Sequence, residues 1–132
     1  MLGCTEQMLN WLVLQGEQAA MIEGYRFGRF SFGGQEHTSD VIIHGDRVTS
    51  WWRVAGHSVA REDIETLVSD KPAVIVIGTG ANGLMRVPED TRRFIEGSAI
   101  KLVVEETAKA VQTFNRLQAD GRDVAIAMHL TC

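Results

Sequence analysis

Cysteine is nearly absent from this chain of 132 residues, which has only Cys4 and Cys132. A bridge between them would join the two ends of the sequence and staple almost nothing between, so a disulfide framework is excluded as the source of stability. So few thiols suit a reducing compartment. Proline is equally scarce, with Pro72 and Pro88 alone, and no repeat or low-complexity linker interrupts the chain. There is no dense Lys/Arg cluster either: 13 basic residues face 17 acidic ones, for a net charge of −4. That balance argues against nucleic acid or an anionic membrane as the main partner, while local sites for small anions stay open. The apolar run near the start, Trp11, Leu12, Val13 and Leu14, is far too short to span a bilayer. No basic segment precedes it, so a signal peptide is not expected. Met1-Leu2-Gly3-Cys4 has the letters of a lipoprotein cleavage site without the apolar segment before it. The expected location is the cytoplasm.

What the chain does have is hydrophobic residue, 45% of the total, enough for the core of one domain. We expect an N-terminal extension over residues 1–20 and a single α/β domain over 21–132. Residues 5–17 are too densely apolar for a one-faced helix, and helix or strand stays undecided there. From Met21 onward Tyr25, Phe27, Phe30 and Phe32 stand among Gly24, Gly28, Gly33 and Gly34, a pattern of short strands and turns. Val41-Ile42-Ile43 and the stretch from Val48 to Val54 flank Gly45-Asp46, which fits a hairpin turn. Ser58 is expected to cap a helix with Ile64, Leu67 and Val68 on its inner stripe.

The stretch that organises the rest is Val74-Ile75-Val76-Ile77 running into Gly78-Thr79-Gly80. Four consecutive β-favouring apolar residues without alternation predict a strand covered on both faces. Pro88 is placed for the first turn of a helix that Gly97 closes, Ile100 to Val104 is a second buried strand, and Thr107 is read as the cap of a helix. That helix carries Ala110, Val111, Phe114 and Leu117 inward, Gly121 stops it, and Val124 to Met128 is the last strand. The expected order is an N-terminal β-hairpin section, then strand-helix-strand-helix-strand, which calls for right-handed crossovers and a largely parallel sheet.

A glycine-rich turn at the end of such a strand can bare backbone amides beside a crevice, where ligands of open α/β sheets bind. The candidate ligand site is therefore Gly78, Thr79 and Gly80 with Thr107 at the start of the helix beyond the neighbouring strand. Gly78-Thr79-Gly80-Ala81-Asn82-Gly83 also spells G-x-G-x-x-G, with Glu105 ending the next strand. A dinucleotide site needs the helix to open inside that turn, whereas Val87 before Pro88 is held extended and delays it. No cofactor is expected. Glu105-Glu106 could be a catalytic pair, but adjacent strand residues point to opposite faces. His37, His44, His57 and His129 show no zinc spacing, so no metal is expected. His129 and Cys132 could act as base and nucleophile, with a structural role the simpler reading. Of Trp51 and Trp52, one is core and the other marks a contact surface. Asn115 is expected to bond backbone.

At Trp52-Arg53, His57, the strand ending Gly78-Thr79-Gly80, Thr107, Ala110, Asn115-x-Leu117, Gly121-x-x-Val124 and His129-x-Thr131-Cys132, the chain resembles the adipogenesis-associated domain proteins. These share their domain with mitochondrial complex I assembly factor 3. The resemblance implies a three-layer α/β fold with a mixed central sheet, no established catalysis and no catalytic residues to carry over. It also implies, by analogy, a binding or assembly-factor-like module with a protein partner. The competing expectation is a small enzyme that uses the cleft at Gly78-Thr79-Gly80 to bind an anionic metabolite.

Overall fold

A computed structural model describes residues 20–132. Cys4, the undecided segment 5–17 and nearly all of the expected extension lie outside the described residues.

Residues Val74, Ile75, Val76 and Ile77 alternate between two cores, and that alternation fixes the layers. Val74 and Val76 join one apolar cluster while Ile75 and Ile77 join another, all four buried. In chain order the elements are β1 (Ile22–Arg26), β2 (Arg29–Phe32), β3 (Gln35–His37), β4 (Val41–His44) and β5 (Arg47–Ser50). A 3₁₀ turn (Arg61–Asp63) leads to α1 (Glu65–Ser69), followed by β6 (Val74–Thr79), α2 (Glu89–Gly97), β7 (Lys101–Glu105), α3 (Thr107–Ala119) and β8 (Val124–His129). The central sheet has the order β5-β4-β8-β6-β7. Strand β6 pairs parallel with β7 and β8, whereas β4 pairs antiparallel with β8 and β5, so the sheet is mixed.

Each face carries a layer. On one side Val41, Ile43, Val124, Ile126 and Met128 meet Ala110, Val111 and Phe114 of α3, with Ile22, Phe30 and Phe32 of the separate antiparallel sheet β1-β2-β3. On the other, Ile64, Leu67, Val68 and Ile95 of the short helices pack against Ile75, Ile77, Ala125 and Ala127. The small Ala125 and Ala127 leave room for the larger side chains facing them. The β4–β5 hairpin has the expected two-residue turn, with Gly45 at φ 67°. Asn115 accepts from the Ile22 N–H (2.9 Å) and donates to its carbonyl (2.8 Å), clamping β1 to α3.

Several local expectations are corrected. Ser58 does not cap a helix: it bridges Ala55 and Arg86 in extended conformation. Asp63 instead reaches back to the Ala60 N–H at 2.8 Å, and the regular helix starts only at Glu65. Gly97 stays inside α2, and the left-handed residue is Ala99 at φ 65°. Strand β5 ends at Ser50, short of the expected Val54; the Trp51 N–H still bonds the carbonyl of Asp40 opposite it (3.0 Å), and beyond it the Val54 N–H turns to the Asp63 carboxylate (3.1 Å). Thr107 is the first residue of α3 rather than its cap. Fully buried, its hydroxyl is drawn across the sheet end to other partners.

Candidate functional site

The carboxyl ends of β6 and β8, the start of β4 and the end of β5 meet at one end of the sheet, since Thr79 pairs with His129, Met128 with Val41, and Val41 with Ser50. Strands β6 and β7 are neighbours, with Ile77 beside Val104 and Gly78 beside Glu105. The chain leaves β6 toward the α2 face and β7 toward the α3 face, which opens a switch-point crevice between them.

The structure brings Gly78, Thr79, Gly80 and Thr107 together there. The Gly80 N–H donates to the Thr107 hydroxyl (2.8 Å), which donates to the His129 carbonyl (2.6 Å), and the Thr107 N–H donates to the Gly80 carbonyl (3.1 Å). The Thr79 hydroxyl donates to the Glu105 carbonyl at 3.1 Å. Three further amides meet residues 131–132: Ala81 N–H donates to the Thr131 carbonyl, and Asn82 and Leu84 donate to the Cys132 oxygen at 3.2 and 3.3 Å, while Gly83 N–H closes the turn on the Gly80 carbonyl (3.2 Å). The glycines serve close approach. A Cβ on Gly78 would stand 2.9 Å from the Thr107 hydroxyl, and one on Gly80 would stand 2.3 Å from the Cys132 carbonyl carbon. An anion entering this turn would have to displace the tail at residues 131–132.

The dinucleotide geometry is missing for a separate reason. Helix α2 begins at Glu89, well beyond Gly83, so the helix that follows the turn does not open within it, and the N-terminus of α3 that does meet the turn is bonded to Gly80 itself. A melt in millimolar NAD is therefore expected to show no shift. A ligand of micromolar Kd would at that excess add about 4 kcal/mol and raise Tm by roughly 10 °C or more. Glu105 and Glu106 do not form a carboxylate pair, as Glu105 Oε1 accepts from the Thr113 hydroxyl (2.7 Å) while the Glu106 side chain lies against Gly83. Among the described residues no cluster of three His, Cys, Asp or Glu side chains could hold a metal ion.

Beside the glycine turn lies a cluster that sequence reasoning missed. One oxygen of Asp40, Oδ2, receives both Arg53 Nη2 (2.8 Å) and His129 Nδ1 (2.8 Å), and the other, Oδ1, accepts the Leu130 N–H (2.8 Å). A carboxylate only accepts, so Nδ1 of His129 carries its proton toward Asp40; the 3.2 Å approach of Arg53 to Nδ1 is then two donors sharing one oxygen. Arg53 is fixed further by bonds from Nε and Nη2 to the Gly56 carbonyl (3.2 and 3.0 Å) and by lying 4.5 Å over the Trp51 ring, whose Nε1 donates to the Asp63 carbonyl. The His57 ring meets His129 edge-on at 5.6 Å.

Burial alone would raise the Asp40 pKa. The bonds from His129, Leu130 and Arg53 outweigh it and hold the carboxyl below its ordinary value. Burial, with the Asp40 charge, pushes the Tyr25 hydroxyl up, against the neighbouring Thr107 hydroxyl; Tyr25 donates to the Leu130 carbonyl at 3.0 Å. In the sequence, Arg53, His57 and His129 stood in the family resemblance. Nothing in their spacing joins them to Asp40.

The fold and this end of it define a class: a three-layer α/β domain whose carboxyl-end crevice is closed by its own tail and underlain by a buried ion-paired cluster. The profile of the family described as "Protein of unknown function (DUF498/DUF598)" matches residues 22–129, and the chain belongs to that family. Among solved structures, MT938 is 28% identical, with a TM-score of 0.74 over 86% of this chain and 99% of that one. A protein described as an outer membrane protein from Bartonella henselae is 30% identical, with a TM-score of 0.74 over 87% of this chain and 98% of its own. A Bordetella pertussis protein described as an Mth938-like domain is 16% identical with a TM-score of 0.64 over 84% and 85% of the two chains, and shares the fold. The family and these neighbours accord with the resemblance to the adipogenesis-associated domain proteins. No helix of the described residues is long and apolar enough to cross a membrane.

Proposed function

We propose that this protein is a non-catalytic binding module that holds a protein partner at the carboxyl end of its central sheet, as an assembly factor would. The observation that carries this reading is the placement of exposed apolar side chains. Among the described residues four large hydrophobics are exposed: Phe27, Trp52, Val54 and Leu84. Each belongs to a segment tied to this one end. Trp52 and Val54 follow β5 directly, the Leu84 N–H bonds the Cys132 oxygen, and Gly28, next to Phe27, donates to the Leu130 carbonyl (3.0 Å). Of the tryptophan pair, Trp51 is the core residue and Trp52, 82% exposed, is the outward one. Apolar side chains gathered at one end, an aromatic among them, are what a contact surface requires.

On this reading Gly78, Thr79, Gly80 and Thr107 build the surface by seating the tail, and the amides of the turn serve the chain itself. The scarcity of cysteine supports a cytoplasmic setting.

A photo-crosslinking residue at position 52 or 84 is expected to capture a discrete partner in cells, while one at Asp120, on the opposite end, does not. Trp52→Glu should abolish capture from position 84 yet leave stability within about 0.5 kcal/mol, as for an exposed side chain. Equal capture from position 120, or none from 52 and 84, would remove the basis for the reading.

A further inference from the structure

Two polar atoms beneath this same end are buried with no hydrogen-bond partner among the described residues, Nη1 of Arg53 and Nε2 of His129. The side chains that carry them are 6% and 8% exposed. Leaving a buried polar group unmatched is destabilising, more so when it is charged, so such atoms call for a purpose. Both side chains are fixed through the same oxygen of Asp40, which holds the two unmatched atoms in one neighbourhood. We propose that Arg53 Nη1 and His129 Nε2 form a subsite for an oxyanion of the carboxylate or phosphate class, entered beside His57.

The donor inventory selects the ligand. Nη1 carries two N–H donors on a guanidinium that stays charged, suited to an anionic oxygen. With Nδ1 protonated toward Asp40, Nε2 donates to an anion only when it carries a proton of its own. The charge count leads to the same place. Asp40 already offsets Arg53, and an added monoanion is balanced when His129 becomes imidazolium. A monoanion bound there therefore takes up one proton from solvent at Nε2, because a proton passed from the ligand itself would leave the net charge of the site unchanged.

The groups facing His129 set the rest of the field. Asp40 before β4 and Arg53 after β5 both approach Nδ1, His57 meets the ring edge-on, Tyr25 on β1 bonds the next carbonyl, and Thr79 of β6 and Thr107 of α3 are the uncharged neighbours of its backbone. Cover over Arg53 comes from the exposed residues 54–57, through the Gly56 carbonyl. Entry therefore requires the Gly56 carbonyl to move off Arg53.

A free ion and a partner's acidic side chain present the same chemistry, and two titrations separate them. The histidine ring nitrogens of the full chain are followed by ¹⁵N NMR while inorganic phosphate is added. A second sample receives a blocked peptide with one aspartate beside a phenylalanine. The expected result is a saturable change of His129 Nε2 from bare to protonated, with Kd near or below about 1 mM for at least one probe, and shifted Arg53 Nη protons in the same titration. Tighter binding of the peptide assigns the site to a partner's carboxylate, and tighter binding of phosphate assigns it to a free ion. Arg53→Lys, which keeps the charge and loses the fork, should weaken binding at least tenfold. If neither probe moves the His129 or Arg53 signals of the wild-type chain, or if folded Arg53→Lys binds equally well, the subsite does not exist. Crosslinking from position 52 does not depend on that outcome, so the contact surface can stand or fall separately.

Discussion

Asp40→Ala is expected to cost about 3–5 kcal/mol of stability, the range found when one partner is removed from a buried ion pair. The carboxylate is the common acceptor for Arg53, His129 and the Leu130 N–H, and Arg53 cannot lose its charge when left alone. The variant therefore strands a buried cation together with a backbone donor at the root of the tail. For a domain of this size Tm should fall by roughly 10 °C or more. Adding Arg53→Met to Asp40→Ala should recover part of the loss, because the uncompensated charge disappears with it. A single variant that loses less than about 1 kcal/mol, or a double variant that loses the sum of the two, would show that the cluster is not coupled as drawn.

The same carboxyl fixes the sign of the acid limb. Its folded pKa lies below the ordinary value, so its contribution is complete above about pH 4, the unfolded carboxyl range, and is lost as pH falls through the folded value. Urea melts of the wild type should weaken over that acid window. Asp40→Asn should be less stable at neutral pH and flatter below pH 4.

Gly80→Ala is expected to be nearly as damaging, by about 2–5 kcal/mol, and by a steric route. Gly80 has φ 107°, outside the range an L-residue adopts without strain, and its new Cβ would overlap backbone of Thr131 and Cys132. The tail is the part able to yield, since β6 is fixed on both sides by β7 and β8. Hydrogen exchange should consequently speed up at Ala81, Asn82 and Leu84, whose N–H groups lose the tail oxygens, while the amides of β8 stay protected. Removing residues 131–132 should reduce the cost of Gly80→Ala to its φ strain alone. Equal costs with and without those residues would mean that the tail is not what Gly80 accommodates.

Much of the fold was legible because it follows from local chemistry. Unbroken Val74-Ile75-Val76-Ile77 required cover on both faces, and both are covered. Gly45-Asp46 made its hairpin, Gly121 closed α3 at φ 76°, and Ala110, Val111, Phe114 and Leu117 lined its inner face. Where local rules failed, a tertiary partner had claimed the group. Thr107 had the chemistry of a cap but was needed by Gly80 and His129; Ser58 was held extended by Arg86.

By itself, then, the sequence determined the elements with a strong period; their pattern calls for a largely parallel sheet, which the antiparallel seating of β4 on β8 makes mixed. It also determined the gathering of Gly78, Thr79, Gly80 and Thr107, since the order of strands and helices follows from short-range constraints. Tertiary structure alone decided what those residues do. Only the folded chain brings Thr131 and Cys132 onto the amides of the turn, and only the antiparallel seating of β4 on β8 sets Asp40 beside His129 and Arg53. Contacts between residues so far apart in the chain leave no periodicity to read. They arise from sheet register, which is fixed when the two cores close on either face.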